Sequence, residues 1–538
     1  MKDKENVILL IVFILLSLTK LDAQDTRNIF LNQCLNTPID SDRMLLLDRI
    51  MLESGTIFPV FSRPITNNEW FKYVDFILKN KSENLSEYSR SRLGEFIPDI
   101  KFEGMWNTEI YGRAQIEGIG NTNDRKFYLT RYEERLPLWK LNLEASRDTM
   151  IGFAISTIGR NTWTVYDFTE NKTNLPVDVW QDIDFRIFHK AYFSYQSPQA
   201  KITVQVGRDD LRWGVGKKAS LFLSDEVPFF DFVKFVLWFD QLKFSMLYST
   251  LTDYEPQFTN KGSYYDASGL DKAPKSMLLQ RIEYDLLNRV NFGLSYMKII
   301  YGRDPVLGDI NPFIFQHNLF KEYQNSVASF DITASILPGV QLYGEVTSDE
   351  INFSNDFKLD NAADPTAVSY QFGVNLYYKN YYLNSEYVFI APFMYNHYHF
   401  LGRAIEIDGL RDFRSKSRSL RYMALGHWLS PDSRNLSLTV ERTFSKYLTV
   451  NLTGETRRSG EINLLTPFPD KNYIASATPS GIAETISILG GSINYSSNRY
   501  IFRGGVKYIT IENFNNVQDD NFNSLEFQLS CGVKFEIL

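Results

Sequence analysis

Extended segments of strict two-residue alternation, joined by connections that are short and long in turn, constrain this chain more than any other feature. Val368, Tyr370, Phe372, Val374 and Leu376 share one side of a segment, and Ser369, Gln371, Gly373 and Asn375 share the other. Leu448, Val450 and Leu452 oppose Thr449, Asn451, Thr453 and Glu455 in the same way. Near the C-terminus Leu525, Phe527, Leu529, Cys531, Val533, Phe535 and Ile537 oppose Ser524, Glu526, Gln528, Ser530, Lys534 and Glu536. Successive side chains of a strand point to opposite faces, so each segment is a strand with one apolar and one polar face. Such a strand suits a soluble sandwich or a membrane barrel, and alternation alone does not choose between them.

The connections choose. Tight ones fall near 147–149, 197–199, 238–241, 288–289, 337–338, 379–380, 444–446 and 497. Long polar ones fall near 117–135, 159–181, 209–230, 251–275, 301–323, 348–366, 391–433, 458–483 and 511–521. Outer-membrane barrels have short periplasmic turns and long external loops. Eight short and nine long connections predict an all-β transmembrane fold, an antiparallel outer-membrane β-barrel of about 18 strands. Residues 418–428 also alternate, but a strand there would reverse every later connection, so they are placed within the long loop. Ser530, Gly532, Phe535 and Ile537 fit the polar-x-Gly-x-x-apolar-x-apolar ending that barrel-assembly machinery reads, although the chain ends on Leu538 rather than an aromatic residue.

The N-terminal region differs. Residues 1–23 are expected to be a secretory signal peptide, with Lys2 and Lys4 ahead of the apolar run Val7 to Leu18 and a cut after Ala23. That run is too short to be a spanning helix. Residues 24–98 are expected to form an α-helical plug at the periplasmic end, and 99–538 the barrel. Met44, Leu45, Leu47, Ile50, Met51 and Leu52 recur at near-helical spacing before Gly55. Thr66 and Glu69 form a capping-box pair ahead of Trp70, Phe71, Val74, Ile77 and Leu78. A third helix is expected over 86–96, with Tyr88 and Leu93 inward. Three short helices bury little alone and must dock on something larger.

Composition removes several functions. A net charge of −7 argues against a nucleic-acid partner. Two cysteines cannot build a disulfide framework; Cys531 is placed on the lipid face and Cys34 before the helices, as free thiols. His397 and His399 stand two apart with no third ligand in view, so no metal and no cofactor is expected. No G-x-S-x-G elbow, P-loop or dinucleotide fingerprint occurs, which leaves no catalytic residue to name.

The loop after residue 207 holds the densest chemistry. Trp213 has a face that could stack on a sugar ring, and Arg208, Asp209, Asp210, Arg212 and Asp225 carry planar groups matched to hydroxyls and carboxylates. The competing reading folds this loop into the lumen, its charges paired with one another and Gly214 and Gly216 permitting a tight path. Tyr254, Tyr264 and Tyr265 lie among carboxylates in the 251–275 loop, a composition equally suited to sugar binding and to a membrane-interface girdle. Glu345, Glu386, Glu441, Glu455 and Arg457 fall on polar strand faces and are expected in the lumen, as a salt-bridged interior or a solute path.

The stretch from Gly207 to Phe230, with Trp213-Gly-Val-Gly216 and Leu221-Phe-Leu-Ser-Asp225, resembles a segment of the Wzi-type capsule assembly proteins. Leu342 to Glu350, Ser385-Glu-Tyr387 with Tyr395 and His397, Leu425 to Ser433, and Glu455 to Gly460 resemble further pieces in the same order. Val215 and Glu226 depart from the pattern. The resemblance implies a non-enzymatic, lectin-like barrel taking part in assembly or surface attachment of capsular polysaccharide, in contact with outer-membrane lipid. A porin-like channel is the alternative, and a glycan- or lipid-modifying enzyme the third.

Overall fold

The computed structural model describes residues 33–96, 106–125, 127–130, 134–147, 150–161, 173–174, 183–252, 274–311, 323–350, 367–397, 399–411, 418–467 and 478–537. The expected signal peptide and Tyr254, Tyr264 and Tyr265 lie outside them.

Eighteen antiparallel strands close into one barrel. They are β1 (Trp106–Asn121), β2 (Trp139–Arg147), β3 (Ile151–Asn161), β4 (Ile183–Gln196), β5 (Ile202–Asp209) and β6 (Phe230–Phe239). Next come β7 (Leu242–Thr250), β8 (Lys275–Leu286), β9 (Val290–Tyr301), β10 (Gln324–Leu337), β11 (Val340–Glu350) and β12 (Ala367–Tyr378). The last are β13 (Tyr381–Ile390), β14 (Ser433–Ser445), β15 (Leu448–Ser459), β16 (Glu484–Ser496), β17 (Tyr500–Glu512) and β18 (Phe522–Glu536). Each pairs with the next, and β18 closes on β1 with Val533 opposite Ala114. The tight turns fall where the sequence places them. β1 runs on to Asn121, so the first long loop starts later than expected. The ambiguous 418–428 segment resolves into a loop hairpin, Arg418–Ala424 paired with Ile405–Arg411, outside the barrel wall.

The faces follow the alternation. Leu452 is 60% exposed and Leu489 67%, while their neighbours Asn451, Thr453 and Ser492 point inward. So broad an apolar exterior suits hydrocarbon, not water. Beside the tight turns, Phe239, Tyr284, Tyr378, Tyr381, Phe444 and Tyr500 are exposed and form an aromatic rim. Cys531 is exposed on the outer face and Cys34 is buried, both unpaired.

The helical module sits inside the tight-turn end, which faces the periplasm in outer-membrane barrels. Helix α1 (Asp42–Ser54) starts at Ser41, whose side chain accepts from Met44 N–H, and stops at Gly55 with φ of 71°. Helix α2 (Asn67–Asn80) carries the expected Thr66–Glu69 capping box. Helix α3 (Glu87–Phe96) buries Leu93. The module packs its apolar faces together and against Val236, Trp238 and Tyr343 of the wall. Its backbone is bonded to the turns: Ile57 N–H donates to the Asn288 carbonyl and Gly339 N–H to the Leu52 carbonyl, both at 2.8 Å.

Candidate functional site

The 209–230 loop turns into the lumen rather than out. Arg212–Trp213 pairs antiparallel with Ser62–Arg63, so the loop adds to the plug. Trp213 N–H donates to the Leu223 carbonyl and Gly214 N–H to the Phe61 carbonyl, each at 2.9 Å. Gly214 has φ of 126°, and a Cβ there would lie 2.0 Å from Ser220 Oγ. A Cβ on Gly216 would collide with the Ala219 carbonyl and Gln371. Both glycines are therefore required by the fold of the loop. Leu211, Trp213, Leu221 and Phe222 pack against Met277, Leu279, Met297 and Ile299 of the wall, and against Tyr395 and Leu425 of the 391–433 loop.

Lumen carboxylates hold this loop. Glu345 accepts from Phe222 N–H at 2.8 Å, Ser220 Oγ at 2.9 Å and Gln371 Nε2 at 2.7 Å. Glu386 accepts from Lys217 N–H at 2.7 Å and Tyr343 Oη at 2.8 Å. Glu455 pairs with Lys218 at 2.5 Å and Arg457 at 2.6 Å, and the Arg457 guanidinium lies 4.5 Å from the Trp428 ring centre. Tyr395 Oη donates to the Leu221 carbonyl at 2.7 Å and accepts from His427 N–H at 3.0 Å. The separate stretches that carry the family resemblance thus meet in one network. The expected lumen residues Glu345, Glu386, Glu455 and Arg457 all belong to it.

The expected sugar-contacting residues are placed differently. Trp213 has no exposed surface, so the stacking role expected of it is corrected: its indole is a core anchor. Asp209 is buried, 2.8 Å from Lys190 Nζ, and accepts from Asn36 Nδ2 at 2.9 Å. Asp210 pairs with the same lysine. Arg212 donates to the Gly216 and Lys217 carbonyls. Arg208 is on the outward side, bidentate to Asp231 at 2.7 and 2.6 Å with Phe229 beneath its guanidinium. Of this set Asp225 is exposed and open to a ligand.

Several anchors were not singled out from sequence. Glu283 accepts from Phe61 N–H at 2.9 Å and Ser62 Oγ at 2.5 Å. Lys234 donates to the Pro64 carbonyl at 2.8 Å, and Glu69, beyond its capping role, accepts from Trp238 Nε1 at 3.0 Å. Arg281 is fully buried and bidentate to Asp331 at 2.5 and 2.9 Å. For Lys234, Arg281, Glu283 and Asp331 the signal was charge on the lumen parity of β6, β8 and β10. Asp48 on α1 joins module to loop through Arg63 at 2.5 Å and Lys217 at 3.1 Å. Burial alone would raise its pKa, but the two cations hold it well below the usual carboxylate range.

His397 and His399 do not share a strand face; they lie beyond β13 beside Tyr301, with His399 N–H donating to His397 Nδ1 at 3.1 Å. Burial lowers the His397 pKa to about 4. Among the described residues no group of three or more His, Cys, Asp or Glu is arranged to hold a metal ion.

The plug leaves a vestibule of about 510 Å³ between α1, α3 and the lumen wall from β11 to β17. Its lining includes Lys446, Tyr447 and Ser496 beside the tight turns, so it lies at the module's end of the barrel.

A closed 18-stranded barrel with an apolar exterior, an aromatic rim and a bonded internal plug defines an outer-membrane β-barrel. The solved structure of Wzi from Escherichia coli, described as an outer-membrane protein involved in group 1 capsule assembly and a carbohydrate-binding β-barrel, has this fold: TM-score 0.55 at 11% identity, over 95% of this chain and 99% of that one. OccD3 (OpdP) of Pseudomonas aeruginosa gives 0.44 at 10% identity, over 83% and 96%. No family model and no curated protein matches the sequence.

Proposed function

We propose that this protein is a non-enzymatic, lectin-like barrel of the outer membrane that takes part in assembly or surface attachment of capsular polysaccharide. The observation that carries this reading is the plug. Glu345, Glu386, Glu455 and Glu283 bind inward-folded backbone and side chains, where a conducting pore would leave such groups to water. The Wzi-like architecture and the ordered motif pieces support it. Sugar contact then falls to the external loops and to Asp225, the exposed acid of the inward-folded 209–230 loop. Tyr254, Tyr264 and Tyr265 remain proposed contacts on sequence grounds. The partners are the polysaccharide, membrane lipid around the apolar exterior and, through β18, the barrel-assembly machinery.

Deleting the gene in the native host and measuring cell-bound against released polysaccharide tests this. Total glycan should persist and shift into the medium; an unchanged distribution overturns the reading. The vestibule favours the porin-like alternative, and planar-bilayer conductance separates the two, since a plugged binder stays closed.

A further inference from the structure

We infer that the vestibule beneath the plug is a second binding site, built for a short acidic oligosaccharide entering from the periplasmic side. It is independent of the exterior site proposed above. A volume of about 510 Å³ is that of a small-molecule site rather than a hole for one ion.

The charge of the vestibule is unbalanced, and the imbalance has an address. Five cationic side chains line it against three carboxylates, Asp42, Asp48 and Glu441. Each carboxylate is already engaged: Asp42 with Arg92 at 3.2 Å, Asp48 with Arg63 and Lys217, and Glu441 with Arg49 at 3.8 Å. Arg503 has no hydrogen bond or ion pair among the described residues, although it faces the lumen and is open to solvent. A guanidinium left free in a polar cleft offers a planar fork to a carboxylate.

The neighbours of Arg503 supply what hydroxyls need. Asn494 stands opposite Arg503 on β16, and Thr449 opposite Asn494 on β15. One row inward, Asn451 Oδ1 is buried without a partner. That atom accepts only, so its missing partner is a donor such as a hydroxyl. Tyr88 and Tyr447 lie along the same cleft, with the Arg49 guanidinium 4.1 Å and the Lys446 ammonium 4.6 Å from their ring centres. A free cation beside Asn494, Thr449 and the open amide oxygen of Asn451 matches a sugar chain bearing uronate groups better than a bare anion or an apolar solute.

The test is calorimetric titration of the full-length protein in detergent micelles with tri-galacturonic acid, maltotriose and inorganic phosphate. Tri-galacturonic acid should bind, maltotriose at least tenfold more weakly, and phosphate more weakly still. Arg503→Gln should weaken the acidic trisaccharide at least tenfold, with Arg503→Lys losing less. Asn494→Trp should fill the vestibule and abolish binding while heat-modifiable migration shows the barrel intact; it serves if Arg503→Gln fails to fold. Phosphate binding as tightly as the trisaccharide would reduce the vestibule to an anion site and overturn the proposal. So would equal binding of the two trisaccharides, binding indifferent to both variants, or no binding. The gene-deletion assay reports surface attachment through the exterior loops whatever the titration shows, so the two readings fail separately.

Discussion

Replacing Glu345 with Leu should loosen the internal loop without disturbing the barrel wall. The carboxylate accepts from Phe222 N–H, Ser220 Oγ and Gln371 Nε2. Ser220 keeps a partner in the Trp213 carbonyl and Phe222 N–H keeps one in Ser220 Oγ at 3.1 Å, so the two buried donors orphaned are Gln371 Nε2 and Val215 N–H, which donates to Glu345 at 3.4 Å. Each orphan costs about 1–3 kcal/mol, or about 2–6 together. Removing a desolvated carboxylate offsets part of that. A net of about 3 kcal/mol is more than a hundredfold in the equilibrium for loop release. In planar bilayers Glu345→Leu should therefore show openings that the parent protein makes rarely, with new proteolytic cuts between 209 and 230. Glu345→Gln keeps one acceptor oxygen and should behave nearly like the parent. If Glu345→Leu stays as closed and as protease-resistant as the parent, carboxylate anchoring of the loop is wrong.

Three further outcomes follow from the assigned faces and burial. Leu452→Arg on the lipid face should cost about 2–4 kcal/mol near the membrane midplane, and Thr453→Arg in the lumen much less, by urea unfolding in lipid vesicles; equal costs would refute the facing. His397 is held neutral by burial, its pKa lowered to about 4, against about 6.5 in the unfolded chain. Its stabilising contribution is complete above the unfolded value and is lost as pH falls from about 6.5 toward 4. Hydrogen exchange in the 391–411 segment should accelerate across that window, and His397→Gln should flatten the response. Burial pushes the Cys34 thiol up to about 12, so a water-soluble maleimide should spare it until the protein is unfolded; rapid labelling of the folded protein would contradict the docked position of residues 33–35.

Much of the barrel was legible because a strand's period is local. Turn positions, strand number, lipid face and both helix caps follow from neighbours within a few residues, as Thr66 with Glu69 and Leu452 beside Thr453 illustrate. The hairpin at 405–424 was ambiguous for the same reason: alternation marks a strand and does not say which sheet it joins. The site was less legible. Trp213 looked like a sugar platform because an aromatic among charges in a long loop has that composition. Only the closed wall shows that the loop turns inward and that Ser62 and Glu345, far apart in sequence, enclose it. Arg503 likewise carried no local sign that it would lack a hydrogen-bond or ion-pair partner among the described residues. A pairing partner is a property of three-dimensional neighbours, and the partners here come from strands and helices hundreds of residues away. The sequence by itself determined an outer-membrane barrel and which faces meet lipid. The tertiary structure alone decided which loop became the plug and which charges it neutralised, because long-range closure sets those contacts.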